Sequence, residues 1–197
     1  MDEARSIVSG SAYHYYSGDH FENIKFVREH FPEKLIIHTE GCIGFYDVNA
    51  EDEYKNGEIY VHDIIGDLNA GVNAYIDWNL LLDNKGGSNH KKNYCKSQIM
   101  LTKDGTEYIK TSAYYYIGHF SKYIKVGARK IAFSSYTNNI EITAFENVDK
   151  SIVIVVLNRF WYSVSYNISI YDELIKDSIA PNTIVTYVVS KKTELVL

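Results

Sequence analysis

The chain has 197 residues, a net charge of -5 and a pI near 5.8, a balance that disfavours nucleic-acid and anionic-membrane partners. Apolar residues make up 46% of it, enough to bury a core and too many for a disordered segment. The longest aliphatic run, IVIVVL at 152–157, is far too short to span a bilayer, so no transmembrane segment is expected. The opening MDEARSIVSG is acidic and lacks a signal-peptide core; as written, the chain would stay in the cytoplasm.

The first strand is expected within IVSGSAYHYY (7–16), followed by a helix over HFENIKFVREHF (20–31), where Phe21, Ile24, Val27 and Phe31 form one stripe. After Pro32, KLIIHTE (34–40) makes a second strand. Val61, Ile64, Ile65, Leu68 and Val72 then mark a second amphipathic helix ending near Gly71. VNAYIDWNLLL (72–82) is the third strand. Strand–helix–strand–helix–strand at these lengths means a parallel sheet. A loop over 80–110 and a helix over 111–124 follow. From about residue 127 the period changes to two. NIEITAF (139–145), SIVIVVL (151–157), SVSYNISIY (163–171) and TIVTYVV (183–189) are expected as strands of an antiparallel sandwich, with Asn, Asp, Lys and Pro in the turns.

Cys42 and Cys95 have no C-x-x-C spacing, so two buried thiols are expected rather than a disulfide framework or a structural zinc site. The chain holds 18 tyrosines, which suit sugar contacts and β-sheets alike. The sequon NIS (167–169) is too common to carry weight.

Chemistry concentrates at strand ends, where α/β folds place their sites. The second strand finishes with Glu40, the first with His14, Tyr15 and Tyr16, and the third with Asp77, Trp78 and Asn79. An indole offers a flat face to a pyranose ring, the polar groups bond its hydroxyls, and a carboxylate can attack the anomeric carbon. Plainer readings remain for each: a solvated glutamate opening a turn, a core tryptophan, a satisfied surface histidine. His38 and Glu40 form H-x-E, but the P-C-x-x-C that a zinc deaminase requires is missing. No metal or cofactor is expected.

HTEGCIG (38–44), DWNLLLDNKGGSNHKKNYC (77–95) and YYYIGHFSKYIKVGARKI (114–131) together resemble glycoside hydrolase family 30, the glucosylceramidase-like enzymes. AYHYYSGDHFENI (12–24) is similar to the family's H-W-Y strand and following helix. The motifs run in order over residues 5 to 135, and the later strands fit the family's side domain by position.

The resemblance implies α/β plus all-β architecture. The last three βα units of a (β/α)₈ barrel (1–125, loop 80–110 inserted) precede a β-sandwich (126–197). It implies retaining hydrolysis of β-glucosides or β-glucans, with Glu40 as nucleophile. His14, Tyr16, Trp78 and Asn93 would contact the sugar. Family members are often secreted or lysosomal, so the resemblance leaves the compartment open. Departures are Tyr15 in place of the family's tryptophan, GGSN (86–89) for G-G-P-N, and Lys96 where an acidic residue is common.

The family's acid/base glutamate lies in N-E-P on an earlier strand, and this sequence contains no N-E-P. The expectation is a chain carrying the nucleophile and inactive alone. A separate N-terminal half could complete it as a split enzyme, or it could be a non-catalytic carbohydrate-binding or interaction module.

Overall fold

The computed structural model describes residues 2–44, 53–87 and 91–190. They form two compact units, Met1–Tyr115 and Tyr116–Leu197. Ser88 and Asn89 of the GGSN motif lie outside the described residues.

In the first unit the elements are α1 (Asp2–Ile7), β1 (Gly10–His14), α2 (Phe21–His30), β2 (Leu35–Gly41), β3 (Ile43–Gly44), α3 (Glu53–Ala70) and β4 (Ala74–Asp77). Strands β1, β2 and β4 lie side by side in that order, all parallel, joined through α2 and α3. The helical stripe on α2 is the cause. Phe21, Ile24 and Val27 pack with Ile36 of β2, and with Ala70 and Val72 where α3 leads into β4. Among the described residues, β1 and β4 each pair only with β2, so the sheet has two open edges.

One guanidinium ties the crossovers together. Arg28 donates to the Gly71 carbonyl at 3.0 and 2.8 Å, to Lys34 O at 2.9 Å and to Asn73 Oδ1 at 2.5 Å. Asn73 Oδ1 also accepts from the Ile36 N–H at 3.0 Å. The end of α3 and the entries to β2 and β4 are thereby fixed in register. Gly71, at φ 102°, supplies the left-handed residue that stops α3.

The structure corrects several boundaries. The first strand begins at Gly10, because Asp2–Ile7 is helical. The helix expected around Val61 starts at Glu53, a polar turn ahead of the apolar stripe. The third strand stops at Asp77, and Leu81–Leu82 (β5) joins another sheet. Residues 80–110 also hold β6 (Cys95–Lys96), β7 (Ile99–Leu101) and β8 (Tyr108–Lys110). β6 pairs with β3, and β7 lies between β5 and β8. Short strands interrupted by Gly, Asn and Lys give no readable period.

Helix α4 (Ser112–Ser121) leads into the second unit, which holds β9 (Arg129–Lys130), β10 (Glu141–Glu146), β11 (Ile152–Asn158), β12 (Val164–Ile170), β13 (Glu173–Ile179) and β14 (Thr183–Val189). One sheet runs β14-β11-β10-β9, and β12 and β13 make a separate hairpin. Ile152, Ile154 and Val156 on one face of β11 share a core with Ala144 and with Val164, Ile168 and Ile179 of the hairpin. Across the other sheet face, Tyr116 donates to Asn182 O at 2.8 Å, and His119 Nδ1 meets Thr186 Oγ1 at 2.8 Å. Covered on both sides and flanked by β10 and β14, β11 is buried along its whole length. That explains an unbroken IVIVVL where an alternating pattern would suit a half-exposed strand. β13 escapes sequence reading because Glu173, Lys176 and Asp177 make ELIKDSI look like a turn.

Among the described residues no helix is long and apolar enough to cross a membrane. Ile154→Ala should cost about 2–5 kcal/mol of stability in urea unfolding, the range for emptying a packed core. A loss under about 1 kcal/mol would show that the two layers do not share that core.

Candidate active site

Glu40 stands near the carboxyl end of β2, in the middle of the three-stranded sheet. The β1 register places His14 opposite it, with a bulge between Tyr13 and His14. A second irregularity, between His38 and Gly41, falls on the β2–β4 side. Bulges re-aim side chains at a sheet rim. Here the Tyr16 hydroxyl donates to Glu40 Oε1 at 3.0 Å, and His14 Nδ1 lies 3.9 Å from the same oxygen. The Glu40 side chain keeps 21% exposure and His14 44%, so both reach solvent. The rings of His14 and Tyr16 meet edge-on at 5.8 Å. Burial, then Cys42, then Glu40, push the Tyr16 phenol well above its ordinary pKa, so it stays a donor.

Cys42 closes the group. Its Sγ lies 3.2 Å from the Tyr16 oxygen and 3.4 Å from Cys95 Sγ. The Tyr15 hydroxyl donates to Cys42 O at 2.6 Å and pins the chain just beyond Glu40. Trp78 enters through its backbone: its N–H donates to Gly41 O at 2.9 Å, while its indole is half exposed. Asp77, beneath it, is pushed up by burial and partly held back by hydrogen bonds from Gln98 and the Trp78 N–H. Asn93 is exposed, and its carbonyl accepts from the Cys95 thiol at 3.5 Å. Glu40, His14 and Tyr16 are thus directly joined. Trp78 and Asn93 are tied to the same rim through Gly41 and Cys95.

Beneath Glu40 lies a buried cluster that sequence reading missed. His38 does not point toward Glu40's carboxylate, as an H-x-E metal pair would require. Its Nε2 reaches the Glu40 carbonyl at 2.8 Å, and its Nδ1 reaches Asp67 Oδ2 at 2.7 Å. The Glu40 carbonyl can only accept, so Nε2 carries a proton and donates to it. Burial pushes His38 down, but the hydrogen bond to Asp67 and the charges of Asp63 and Asp67 outweigh it and raise the pKa. Asp63 Oδ2 sits 3.4 Å from Nδ1. Burial and then the Asp67 charge push Asp63 up to about 7. The signal was present: Asp63 and Asp67, four apart on α3, interrupt an otherwise apolar stripe.

Gly41 is required at this point. An added Cβ would run into the Tyr75 hydroxyl and come within 3.3 Å of His38 Nε2.

A parallel-sheet segment with a carboxylate at its carboxyl rim, followed by a two-layer antiparallel unit, defines the class: part of a barrel enzyme with a β-sandwich companion. The glycosyl hydrolase family 30 TIM-barrel model matches residues 1–124, and the family's β-sandwich model matches residues 127–187. The chain belongs to glycosyl hydrolase family 30. Lysosomal acid glucosylceramidase of Mus musculus is 32% identical over 187 residues, 91% of this chain and 36% of that protein. Putative glucosylceramidase 4 of Caenorhabditis elegans is 29% identical, over 92% of this chain and 35% of that protein. The chain therefore spans little more than a third of these relatives' length. The crystal structure of SrfJ from Salmonella typhimurium superposes with a TM-score of 0.93 at 32% identity, over 98% of this chain and 43% of that one. An endo-β1,6-glucanase structure superposes at 0.84 with 28% identity, over 97% of this chain and 43% of that one.

The buried cluster sets a pH dependence. His38 and Asp63 both bind protons more tightly when folded. Their stabilisation is complete below the unfolded pKa values and is lost as pH rises through the folded ones. The urea midpoint should therefore fall as pH rises from about 4 through about 7, and Asp63→Asn should flatten that fall. Carboxyls held low elsewhere, such as Asp177 and Asp83, act mainly at lower pH, while His119, pushed down from 6.5 by burial, opposes the fall below that value. A midpoint rising with pH over this range would contradict the tighter proton binding of His38 and Asp63 in the folded state. Gly41→Ala should cost about 1–3 kcal/mol in the same assay.

Proposed function

We propose that this chain supplies the nucleophile-bearing part of a retaining β-glycoside hydrolase acting on a glucosylceramide-like glycolipid or a β-glucan. The observation that carries the reading is Glu40 itself. It is a half-shielded carboxylate at the strand rim, with Tyr16 donating at 3.0 Å and His14 beside it. Glu40 attacks the anomeric carbon, the glycosidic bond breaks, and water later releases the sugar with its configuration retained. Tyr16 orients the carboxylate, His14 and Asn93 bond sugar hydroxyls, and the half-exposed Trp78 indole stacks on the ring.

Such a mechanism needs an acid/base carboxyl about 5–5.5 Å from the nucleophile to protonate the leaving oxygen. The sequence has no N-E-P, and the sheet presents two open edges on which further barrel strands can pair. Further barrel strands of the family carrying N-E-P would then bring both the glutamate and the remaining sugar contacts. Losing acid catalysis alone costs about 10²–10⁴-fold. The residues here should not turn over an unactivated β-glucoside by themselves. Co-expression with a family segment carrying N-E-P should produce hydrolysis with retention, and Glu40→Gln should then lower it by more than about 10³-fold. Hydrolysis by these 197 residues alone, abolished by Glu40→Gln, would overturn the need for a segment carrying N-E-P.

A second reading draws on the sandwich. Phe160, Trp161 and Tyr162 cluster at its surface, with Trp161 83% exposed. A cavity of about 250 Å³ beside them is lined by Asn138, Asn139, Glu141 and Arg159. Aromatic faces next to amides and an ion pair suit a carbohydrate-binding role. Binding of a β-glucan oligosaccharide that is lost in Trp161→Ala but kept in Glu40→Gln would favour it.

A further inference from the structure

We infer that Cys42 and Cys95 form a reversible thiol–disulfide site that couples the oxidation state of the chain to the Glu40 hydrogen-bond network. The two sulfurs already touch at 3.4 Å, although the residues stand 53 apart in the chain. Both are free thiols, Cys95 fully buried and Cys42 partly open. The pairing of β3 with β6, Gly44 opposite Cys95 and Ile43 opposite Lys96, holds the two segments together. Closing to a bond near 2.05 Å asks for a movement of little more than about 1 Å between side chains.

The direction of chemistry follows from their surroundings. Burial, and then contact with Cys42, push the Cys95 thiol up to about 12, so it is the poor nucleophile. Cys42, the more accessible sulfur, reacts first. With a hydroperoxide as oxidant, the Cys42 thiolate attacks the terminal oxygen. The O–O bond breaks, and Cys42 becomes a sulfenic acid as the oxidant leaves as hydroxide or alkoxide. The Cys95 sulfur then attacks the Cys42 sulfur. The S–S bond forms, the S–O bond breaks, and the Cys95 proton leaves with the hydroxyl as water.

The link to Glu40 runs through one proton. The Tyr16 hydroxyl has a single hydrogen and gives it to Glu40 Oε1 at 3.0 Å. In the 3.2 Å contact with Cys42, the thiol must therefore be the donor and the Tyr16 oxygen the acceptor. A disulfide has no hydrogen to donate. Oxidation removes that donor and draws the Cys42 sulfur toward Cys95, so Tyr16 loses one of its two anchors beside Glu40. The consequence for Glu40 rests on its proposed role as nucleophile, whereas the cross-link itself does not.

The test separates these parts. The native full chain is treated with a small excess of hydrogen peroxide. Expected results are loss of both thiols to a thiol reagent, an intact mass lower by two hydrogens, and a peptide joining Cys42 to Cys95. The product should be monomeric on a non-reducing gel and fully reversed by dithiothreitol. Far-ultraviolet circular dichroism before and after oxidation checks that the fold persists. In Cys95→Ser, Cys42 should instead take up glutathione as a stable mixed disulfide. In Cys42→Ser, Cys95 should stay reduced. Retention of both thiols, over-oxidation of Cys42 without the linked peptide, or a dimer as the main product would each overturn the proposal. If the linked peptide forms but glycosidase activity never appears with an N-E-P partner segment, the thiol site stands and the reading of Glu40 falls.

Discussion

The candidate site hangs on the hold that His38 exerts on the Glu40 backbone. A carboxylate at a strand rim is useful only if the strand end is immobile, and this one sits between two register irregularities. The His38 ring spans the gap, donating to the Glu40 carbonyl on one side and hydrogen-bonded to Asp67 of α3 on the other. Buried charge of this kind costs desolvation unless it is paired and hydrogen-bonded. The pairing of His38 with Asp67, and the closeness of Asp63, offset part of that cost and tie α3 to the sheet.

The same economy of space shapes the layer above. Gly41 leaves room for Tyr75 and His38 to meet, and its carbonyl accepts from Trp78. Tyr15 and Tyr16 leave the end of β1 together but act differently. Tyr15 fixes the Cys42 carbonyl, and Tyr16 reaches the Glu40 carboxylate. A family whose usual residue beside the histidine is tryptophan here uses a phenol, and the phenol gains a backbone hydrogen bond through its hydroxyl. Among the described residues the outer edges of β1 and β4 are unpaired, while the rim between the strands is already organised.

Much of this was legible along the chain. The 3.6-residue stripe of α2 announced the crossover helix, and the change to a two-residue period announced the sandwich. Glu40, His14 and Tyr16 were visible as polar residues at strand ends, because parallel strands bring their carboxyl ends to one rim. The short strands between 80 and 110 were not visible, since pieces of two or three residues carry no period. Nor was β13, whose charged outward face hides it.

Periodicity and motif order alone determined the two-part architecture and the family, and singled out Glu40 as the carboxylate to test. Only the tertiary structure decided who touches Glu40. It turned His38 away from the Glu40 carboxylate and into a buried cluster with Asp63 and Asp67. It also brought together Cys42 and Cys95, which the sequence offers merely as two scattered thiols. The reason is physical: period and composition report which face of an element is buried. Hydrogen bonds between residues 24 to 53 positions apart exist only once the sheet register, and the bulges that break it, have been set.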